Sequence, residues 1–520
     1  MAFSVYDTRQ RRKLAFTPAR PEVVRIYTCG LTVYAPMHIG HARTYCFWDT
    51  FRRWLEYRGY HVVSVINYTD IDDRIMAAAA DGGWQDLTER VIAGFRRDCR
   101  ALAIKDYAAY TRATDFVPAQ VDAVARLIAA GHAYVVDGEV FYDVRSFPRY
   151  GQLSGNQLDE QQVGASGRVH EDVARKRHPA DFTLWKPSEP GQPSWSTGHP
   201  AWPQGRPGWH IECSAMSTAL LGEHFDVHGG GVDNLFPHHE NELAQSEPLC
   251  GHPWVRHWMH PEHLDLRNAA GESIKMSKSL GNVIGVPELL ARHPADEVRW
   301  FFASTHYRTK LAFSWELLAS ASEGFKRVQR AVALMQARLS GLADAELRLP
   351  ARSGYASLRA GDAAVPRERP GFASGPFAAA SERFMAAFIA AMDDDLATPT
   401  VTAAVFAYVN ELYAGGLETT TDLPGLLAAY RCLLRHLHVL GVELGAPRLY
   451  PELAADSLPT GGDVAAAVAP YAAVLDRLLA TRQDARARKD FARADLLREV
   501  LAGAGLQVED TPAGPRWRLG

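Results

Sequence analysis

The sequence predicts an α/β protein: a parallel sheet interrupted by an inserted segment, then an α-helical bundle, then a small mixed α/β unit at the C-terminus. Three observations predict it. A strand–helix–strand pattern opens the chain, with an apolar run at Val23–Thr28, helical spacing through Phe47, Trp48, Phe51, Trp54 and Leu55, and a second apolar run at 61–66. That rhythm is lost between 116 and 204. From 289 onward the apolar spacing is mostly helical, until a strand–turn–strand pattern at 508–518.

The bulk numbers set bounds. At 520 residues the chain is too long for one core, and roughly three or four domains follow. Composition is that of a globular protein, 47% hydrophobic and 22% charged, with a net charge of −4. A protein coated in positive charge is excluded, whereas a local basic stripe for nucleic acid is not. No apolar run reaches the length of a membrane span, and 1–20 carries DTRQRRK in place of an apolar secretory core. A cytoplasmic protein with no membrane partner is expected. Its six scattered cysteines would be reduced, serving as ligands or core and not as disulfides.

The elements follow in order. After the first strand comes a loop at 29–37, and His38-Ile39-Gly40-His41 opens the helix. The second strand ends in the acidic turn 67–73. A Rossmann-type β-α-β unit of this kind binds ligands at the carboxyl ends of its strands. The two imidazoles are three apart on one face of the helix start, where N–H donors and the helix dipole suit phosphate oxygens. Gly40 would let a base or ribose approach the backbone. Far downstream, Lys275-Met276-Ser277-Lys278-Ser279 sets two lysines three apart among small hydroxyl residues. Read alone it suits either a solvated turn or a loop that folds over a polyphosphate and stabilises charge developing there. With both strings unaltered, the sequence resembles the class I aminoacyl-tRNA synthetases, whose signatures are HIGH and KMSKS.

Cys29 ends the first strand, Cys213 lies in GRPGWHIECS, and His238 and Glu242 are four apart in PHHENE, on one helix face. All four are acceptable zinc ligands. Their spacing matches no zinc finger, so the residue pattern alone favours buried core cysteines. The resemblance reverses that. Across Cys29, GRPGWHIECS, the HGGG segment at 228–231 and PHHENE, the chain resembles the cysteinyl-tRNA synthetases, in which these four positions bind one zinc ion at the floor of the active site. A metal that prefers a thiolate separates cysteine from serine and alanine, which size alone does poorly. Thr69 and Trp209 resemble family positions that contact the substrate cysteine, and Asp233 would pair with its ammonium group. The three glycines 229–231 permit either close approach of a nucleotide or a turn. His239 and Glu240 would lie on other helix faces, at the surface or behind the ligands, and Cys46, Cys99, Cys250 and Cys432 would be core.

The insertion carries a helix at 117–130, a hairpin at 133–144 with an Asp-Gly turn, and a strand at 181–186. Beyond the KMSKS string, helices are expected at 289–305, broken at Pro294, and at 318–339, 377–392, 400–413 and 426–440. Asp393, Asp394 and Asp395 would cap helices. The segment 342–376 reads as an inserted loop, and 464–502 as an arginine-rich helical pair suited to RNA phosphates. Trp517, flanked by arginines, offers stacking for an unpaired base.

The resemblance therefore implies a class I synthetase fold: 1–115 and 205–265 as the two catalytic halves, 116–204 as the connective insertion, 266–320 as the KMSKS loop and stem-contact region, 321–455 as the helical bundle, and 456–520 as the anticodon-recognition domain. It implies that cysteine is activated by ATP with Mg2+, releasing pyrophosphate, and is passed to the 3′-terminal adenosine of cysteine tRNA. His38, His41, Lys275 and Lys278 would be catalytic, with ATP held by His38, Gly40, His41 and Lys278, one Zn2+ held by Cys29, Cys213, His238 and Glu242, and the enzyme a monomer. Two alternatives stand beside it. A cysteine ligase to an amino sugar, of the mycothiol type, would lack the anticodon-reading end. A non-catalytic RNA-binding relative would have lost one of the motifs.

Overall fold

The computed structural model describes residues 2–79, 83–156, 175–267, 271–274, 276, 281–341, 375, 377–444, 494, 506–511 and 514–519. The chain begins with a hairpin, β1 (Ser4–Asp7) and β2 (Arg12–Ala15), in its basic first segment. The central sheet follows: β3 (Val23–Thr28), β4 (His61–Tyr68), β5 (Ala109–Arg112), β11 (Phe225–Gly229) and β12 (Val255–Met259), all parallel, in the order β12-β11-β3-β4-β5. The strand order reverses between β3 and β11, the switch point at which open α/β sheets bind ligands. The first β-α-β unit is as the periodicity predicts. Helix α1 (Ile39–Tyr57) joins β3 to β4, and α2 (Asp73–Ala78) and α3 (Trp84–Ala101) lead on to β5.

The stretch between the sheet halves builds its own antiparallel sheet on α4 (Val117–Ala129), with β6 (Ala133–Val136), β7 (Glu139–Tyr142), β8 (Phe182–Lys186), β9 (Trp195–Ser196) and β10 (Gln204–Pro207) in the order β6-β7-β8-β10-β9. The Asp-Gly hairpin forms as expected: Asp137 (φ 50°) and Gly138 (φ 81°) both adopt the left-handed region that a two-residue turn requires. Helix α5 (Trp209–Leu221) then returns the chain to the central sheet, and α6 (Glu240–Cys250) follows β11.

A small sheet carries the next region, β13 (Leu264–Arg267) pairing with β14 (Ser273–Ile274) and β15 (Leu311–Phe313). Between them lie α7 (Val286–Arg292) and α8 (Ala295–Ala303), separated at Pro294 as predicted. The helical bundle comprises α9 (Trp315–Arg338), α10 (Ala378–Asp393), α11 (Thr398–Ala414) and α12 (Leu423–Val439). At the C-terminus β16 (Leu506–Thr511) and β17 (Gly514–Leu519) pair antiparallel, in agreement with the strand–turn–strand reading. The inserted loop at 342–376, apart from 375, and the helical pair at 464–502, apart from 494, lie outside the described residues.

Helix α1 holds this architecture together. Trp48, Phe51, Trp54 and Leu55 join the core of the bundle, while Ile39, Ala42, Tyr45 and Cys46 join a second core under β13 and α7. Asp49 on α1 takes hydrogen bonds from Arg53 (2.7 Å) and from Arg299 of α8 (2.6 Å). Burial would raise its pKa, but the two guanidinium charges hold it at about 2. Arg299 also reaches Leu440 O, just past α12, and a side chain at Gly441 (φ 70°) would collide with its guanidinium at 1.9 Å.

The aspartate run bears out one expectation only in part: Asp394 is the C-cap of α10, its N–H bonding Ala391 O, but no aspartate side chain of the three caps the start of α11. Asp395 is fully buried and accepts from Tyr6 N (2.7 Å), Tyr307 Oη (2.6 Å) and Arg308 Nε (2.8 Å). Asp393 pairs with Arg58 and Asp394 with Lys13. They clamp the bundle to the N-terminal hairpin and to the loop before β15. Local sequence could not show those partners, because most of them lie hundreds of residues away.

Candidate active site

The site lies in a cavity of about 490 Å³ at the carboxyl ends of β3, β4 and β11. The loop after β3 crosses tightly over the end of β4. Gly30 N donates to Asn67 Oδ1 (2.9 Å), and a Cβ at Gly30 would lie 1.6 Å from Asn67 O. Thr69 is buried, exchanges backbone hydrogen bonds with Leu31 and Val33, and lines the cavity. The glycines at the end of β11 are required by protein contacts: a Cβ on Gly229 would meet Met259 O at 1.9 Å, and one on Gly230 the Asn234 amide at 2.5 Å.

At the start of α1, His38 is the N-cap. Its Nδ1 accepts from Gly40 N (3.2 Å) and His41 N (3.4 Å), while His41 Nδ1 accepts from His38 N. With both Nδ1 atoms accepting, each neutral ring carries its proton on Nε2, a donor suited to an anion at the helix N-terminus. The rings stack at 3.6 Å between centroids. The space that a Cβ on Gly40 would fill is taken by the His38 ring, 3.0 Å to Cε1, so the glycine makes room for the cap.

Cys29, Cys213, His238 and Glu242 come together at the floor, all buried. Cys29 Sγ is 3.8 Å from Cys213 Sγ and 3.7 Å from Glu242 Oε1, and His238 Nε2 is 2.8 Å from Glu242 Oε1. Burial opposes ionisation of both thiols. Hydrogen bonds with Cys29 and His238 leave Cys213 as the thiol that ionises, at about 6, and Cys29 is pushed well up. For Glu242 burial is outweighed by His238 and then His228, which hold it at about 2, and the Glu242 charge in turn raises His238 to about 9.

A second ring of histidines stands behind these groups, and most of it was not anticipated. His239 is not at the surface. Its Nε2 is 3.2 Å from Cys29 Sγ, and the donor atoms of Cys29, His238, His239 and Glu242 all lie within 4.8 Å of one another. The physical reason is that 238–247 is buried throughout, so this helix start has no solvent face. Burial keeps His239 and His260 neutral, His260 down at about 3. The chain Thr8–His260–His239–Cys29 is then satisfied when its protons all run one way, for example with the Thr8 hydroxyl donating to His260 Nδ1, His260 to His239 Nδ1, and His239 to the Cys29 sulfur. His228 joins Tyr27 O to Glu242 Oε2 (2.7 Å), and His210 meets His238 Nδ1 at 3.0 Å. Glu240 is buried as well and accepts from the backbone of Gly151, Leu153 and Ser154. The doublet of adjacent histidines in PHHENE was the one sequence signal for His239.

The walls carry the remaining expected residues. Trp209 stacks on His238 at 4.2 Å, and Asp233 lines the cavity at the exposed end of the glycine run. Lys275 and Lys278 lie outside the described residues. Met276 between them and Val283 and Gly285 after them line the same cavity, and Ile284 O accepts from Ile39 N at the start of α1. Cys46, Cys99 and Cys432 are buried, Cys250 is half-buried, and all six cysteines are free.

A parallel sheet with a HIGH helix at its switch point and a buried Cys/His/Glu donor set that could hold a metal ion defines a class I aminoacyl-tRNA synthetase catalytic domain. Residues 15–323 match the family model described as the tRNA synthetases class I (C) catalytic domain, 387–445 the DALR domain, and 471–518 the cysteinyl-tRNA ligase anticodon binding domain. The chain is 40% identical over 520 residues to the cysteine–tRNA ligase of Alkalilimnicola ehrlichii, covering 99% of each chain. It is 41% identical to that of Symbiobacterium thermophilum, covering 100% of each. The fold resembles Mycobacterium tuberculosis methionyl-tRNA synthetase bound by methionyl-adenylate (TM-score 0.55, 15% identity, 82% of this chain and 92% of that one). It also resembles a leucyl enzyme of Agrobacterium radiobacter in a ternary complex with tRNA (TM-score 0.58, 12% identity, 83% and 86%). The chain belongs to the cysteine–tRNA ligase family. Among the described residues no helix is long and apolar enough to cross a membrane.

Proposed function

We propose that this chain ligates cysteine to its tRNA in two steps at the cavity, and that the four donors at its floor hold a zinc ion. The observation that carries the reading is the juxtaposition, in one cavity, of the Cys29–Cys213–His238–Glu242 floor with the paired His38 and His41 at the start of α1. The donor set fits the group. Two sulfurs, one imidazole and one carboxylate lie together, buried and braced by further histidines, and these are donor types that zinc accepts. A zinc ion there supplies preference for a thiolate over a hydroxyl, which size discrimination cannot give.

In the first step the cysteine carboxylate attacks the α-phosphorus of ATP, and pyrophosphate leaves with magnesium. His38 and His41 hold phosphate oxygens through Nε2–H, Lys275 and Lys278 clamp the charge that grows on the leaving group, and Gly40 keeps the His38 cap in place. Asp233 takes the ammonium, while Thr69 and Trp209 frame the amino acid. In the second step a ribose hydroxyl of the 3′-terminal adenosine attacks the cysteinyl carbonyl, and AMP leaves. No protein nucleophile is needed, so catalysis is positioning and electrostatics. The match of 471–518 to an anticodon binding domain speaks against an amino-sugar ligase, and the intact motifs against a non-catalytic relative.

Transfer of labelled cysteine to bulk tRNA tests the reading. Charging with cysteine and not serine is the expected result. Activation without charging would favour the amino-sugar ligase, and no activation would favour an RNA-binding relative.

A further inference from the structure

Arg74 occupies a place in the cavity that the two-step scheme leaves without a role. It lies in the first turn of α2, after the acidic turn, with its side chain 42% exposed. Nε donates to Asp72 Oδ1 at 2.9 Å and Nη2 to Thr32 Oγ1 at 3.1 Å. The guanidinium carbon lies 5.1 Å from the centre of the Tyr34 ring and 5.9 Å from that of Trp209. Two hydrogen bonds and two aromatic rings fix the plane of the group, while Nη1 has no hydrogen-bond acceptor among the described residues. A fork held in this way on the protein side loses little freedom when its open edge binds an anion.

Two further observations say which anion. Among the described residues that line the cavity, Arg74 is the one arginine or lysine. It also belongs to the wall where the insertion meets the central sheet: the neighbouring Asp73 pairs with Arg206 of β10 and lies 3.6 Å from Lys186 of β8. In the reading above the triphosphate has its donors at the start of α1, which leaves this fork without an assigned anion. An arginine on the rim, half in solvent and on the insertion side, suits an anion that arrives from outside on a larger molecule. Contacts to phosphate fix position and register without reading sequence.

We propose that Arg74 binds the phosphodiester next to the 3′-terminal nucleotide of the tRNA and so seats the attacking ribose for the second step. The inference rests on the ligase reading above. The phosphate of the adenylate is the other source of the same chemistry, and the two partial reactions separate them.

The test compares wild type with Arg74→Gln and Arg74→Lys. Cysteine-dependent pyrophosphate exchange without tRNA reports the first step. Single-turnover transfer from preformed adenylate reports the second. In Arg74→Gln the ratio of transfer to exchange should fall by at least about tenfold, and the slope of log KM for tRNA against log salt should drop by roughly 0.7, the contribution of one single-strand phosphate contact. Arg74→Lys, which keeps the charge and loses the fork, should recover the salt slope and only part of the rate. An unchanged ratio would overturn the inference, and so would exchange and transfer falling in parallel, which would place Arg74 on the adenylate or make it a support for Trp209. If wild type itself fails to charge tRNA, the ligase reading fails; if wild type charges and Arg74→Gln matches it, this inference alone fails.

Discussion

The floor and the walls of the cavity are built on opposite plans. At the floor the donor side chains are committed to one another: Cys29 to Cys213, Glu242 and His239; His238 to Glu242 and His210; Glu242 to His228. All are buried, so their mutual contacts hold the arrangement. Along the walls, Asp233 and Arg74 are exposed and face the space where substrates would lie. The difference teaches how one cavity can do two jobs. A floor that is preorganised chooses an atom type, and walls that keep unspent hydrogen-bonding capacity bind and release charged groups.

If that division holds, floor variants should lose metal and selectivity together. Cys213→Ser exchanges a soft donor for a hard one, and bound zinc should weaken by more than about 100-fold, beyond the range seen for outer partners of a metal site. Metal content by atomic absorption checks this, and full occupancy would break the contrast. Lys278→Ala tests the catalytic half of the proposal instead. Pyrophosphate exchange should fall by about 10² to 10³, the usual loss on removing one charge-stabilising donor, with zinc content and the KM for cysteine near wild type. An exchange rate equal to wild type would remove Lys278 from the mechanism.

Acid sharpens the contrast more gently. His257 on β12 is buried, and burial lowers it to about 4; it stacks on Phe16. Its folded pKa is below the unfolded value of about 6.5, so the stability it contributes is complete above pH 6.5 and is lost as pH falls through 4. The loss is on the order of 3 kcal/mol, and the same direction holds for His260 beside the floor. Melting temperature should therefore decline from pH 6.5 to 4 in wild type, and less steeply in His257→Gln if that variant remains folded. Identical slopes would assign the acid sensitivity elsewhere.

How far the sequence could be read follows from the range of the forces involved. The β-α-β unit, the His38 helix start, the Asp137-Gly138 turn and the break at Pro294 are local, set by periodicity, capping and backbone preference, and they were legible. The four floor residues were legible as a set only through resemblance, because three separate elements deliver them to one point. The N-terminal hairpin was hidden by its charges: Asp7 is buried, with Oδ1 accepting from Gln10 N and Oδ2 from Trp258 N, a partner 251 residues away. Asp395 was misread as a cap for the same reason. For His239 the sequence left the surface and a place behind the ligands both open, because a helix buried all round has no polar face to mark its solvent side; the structure takes the second.

Cobalt substitution followed by titration with cysteine and with serine tests the selective floor most directly. We expect one metal per chain and a shift in the sulfur-to-cobalt charge-transfer band with cysteine that serine does not produce, with Glu242 the oxygen donor that loosens. An unchanged band on adding cysteine, or an equal response to serine, would contradict a floor that selects the thiol.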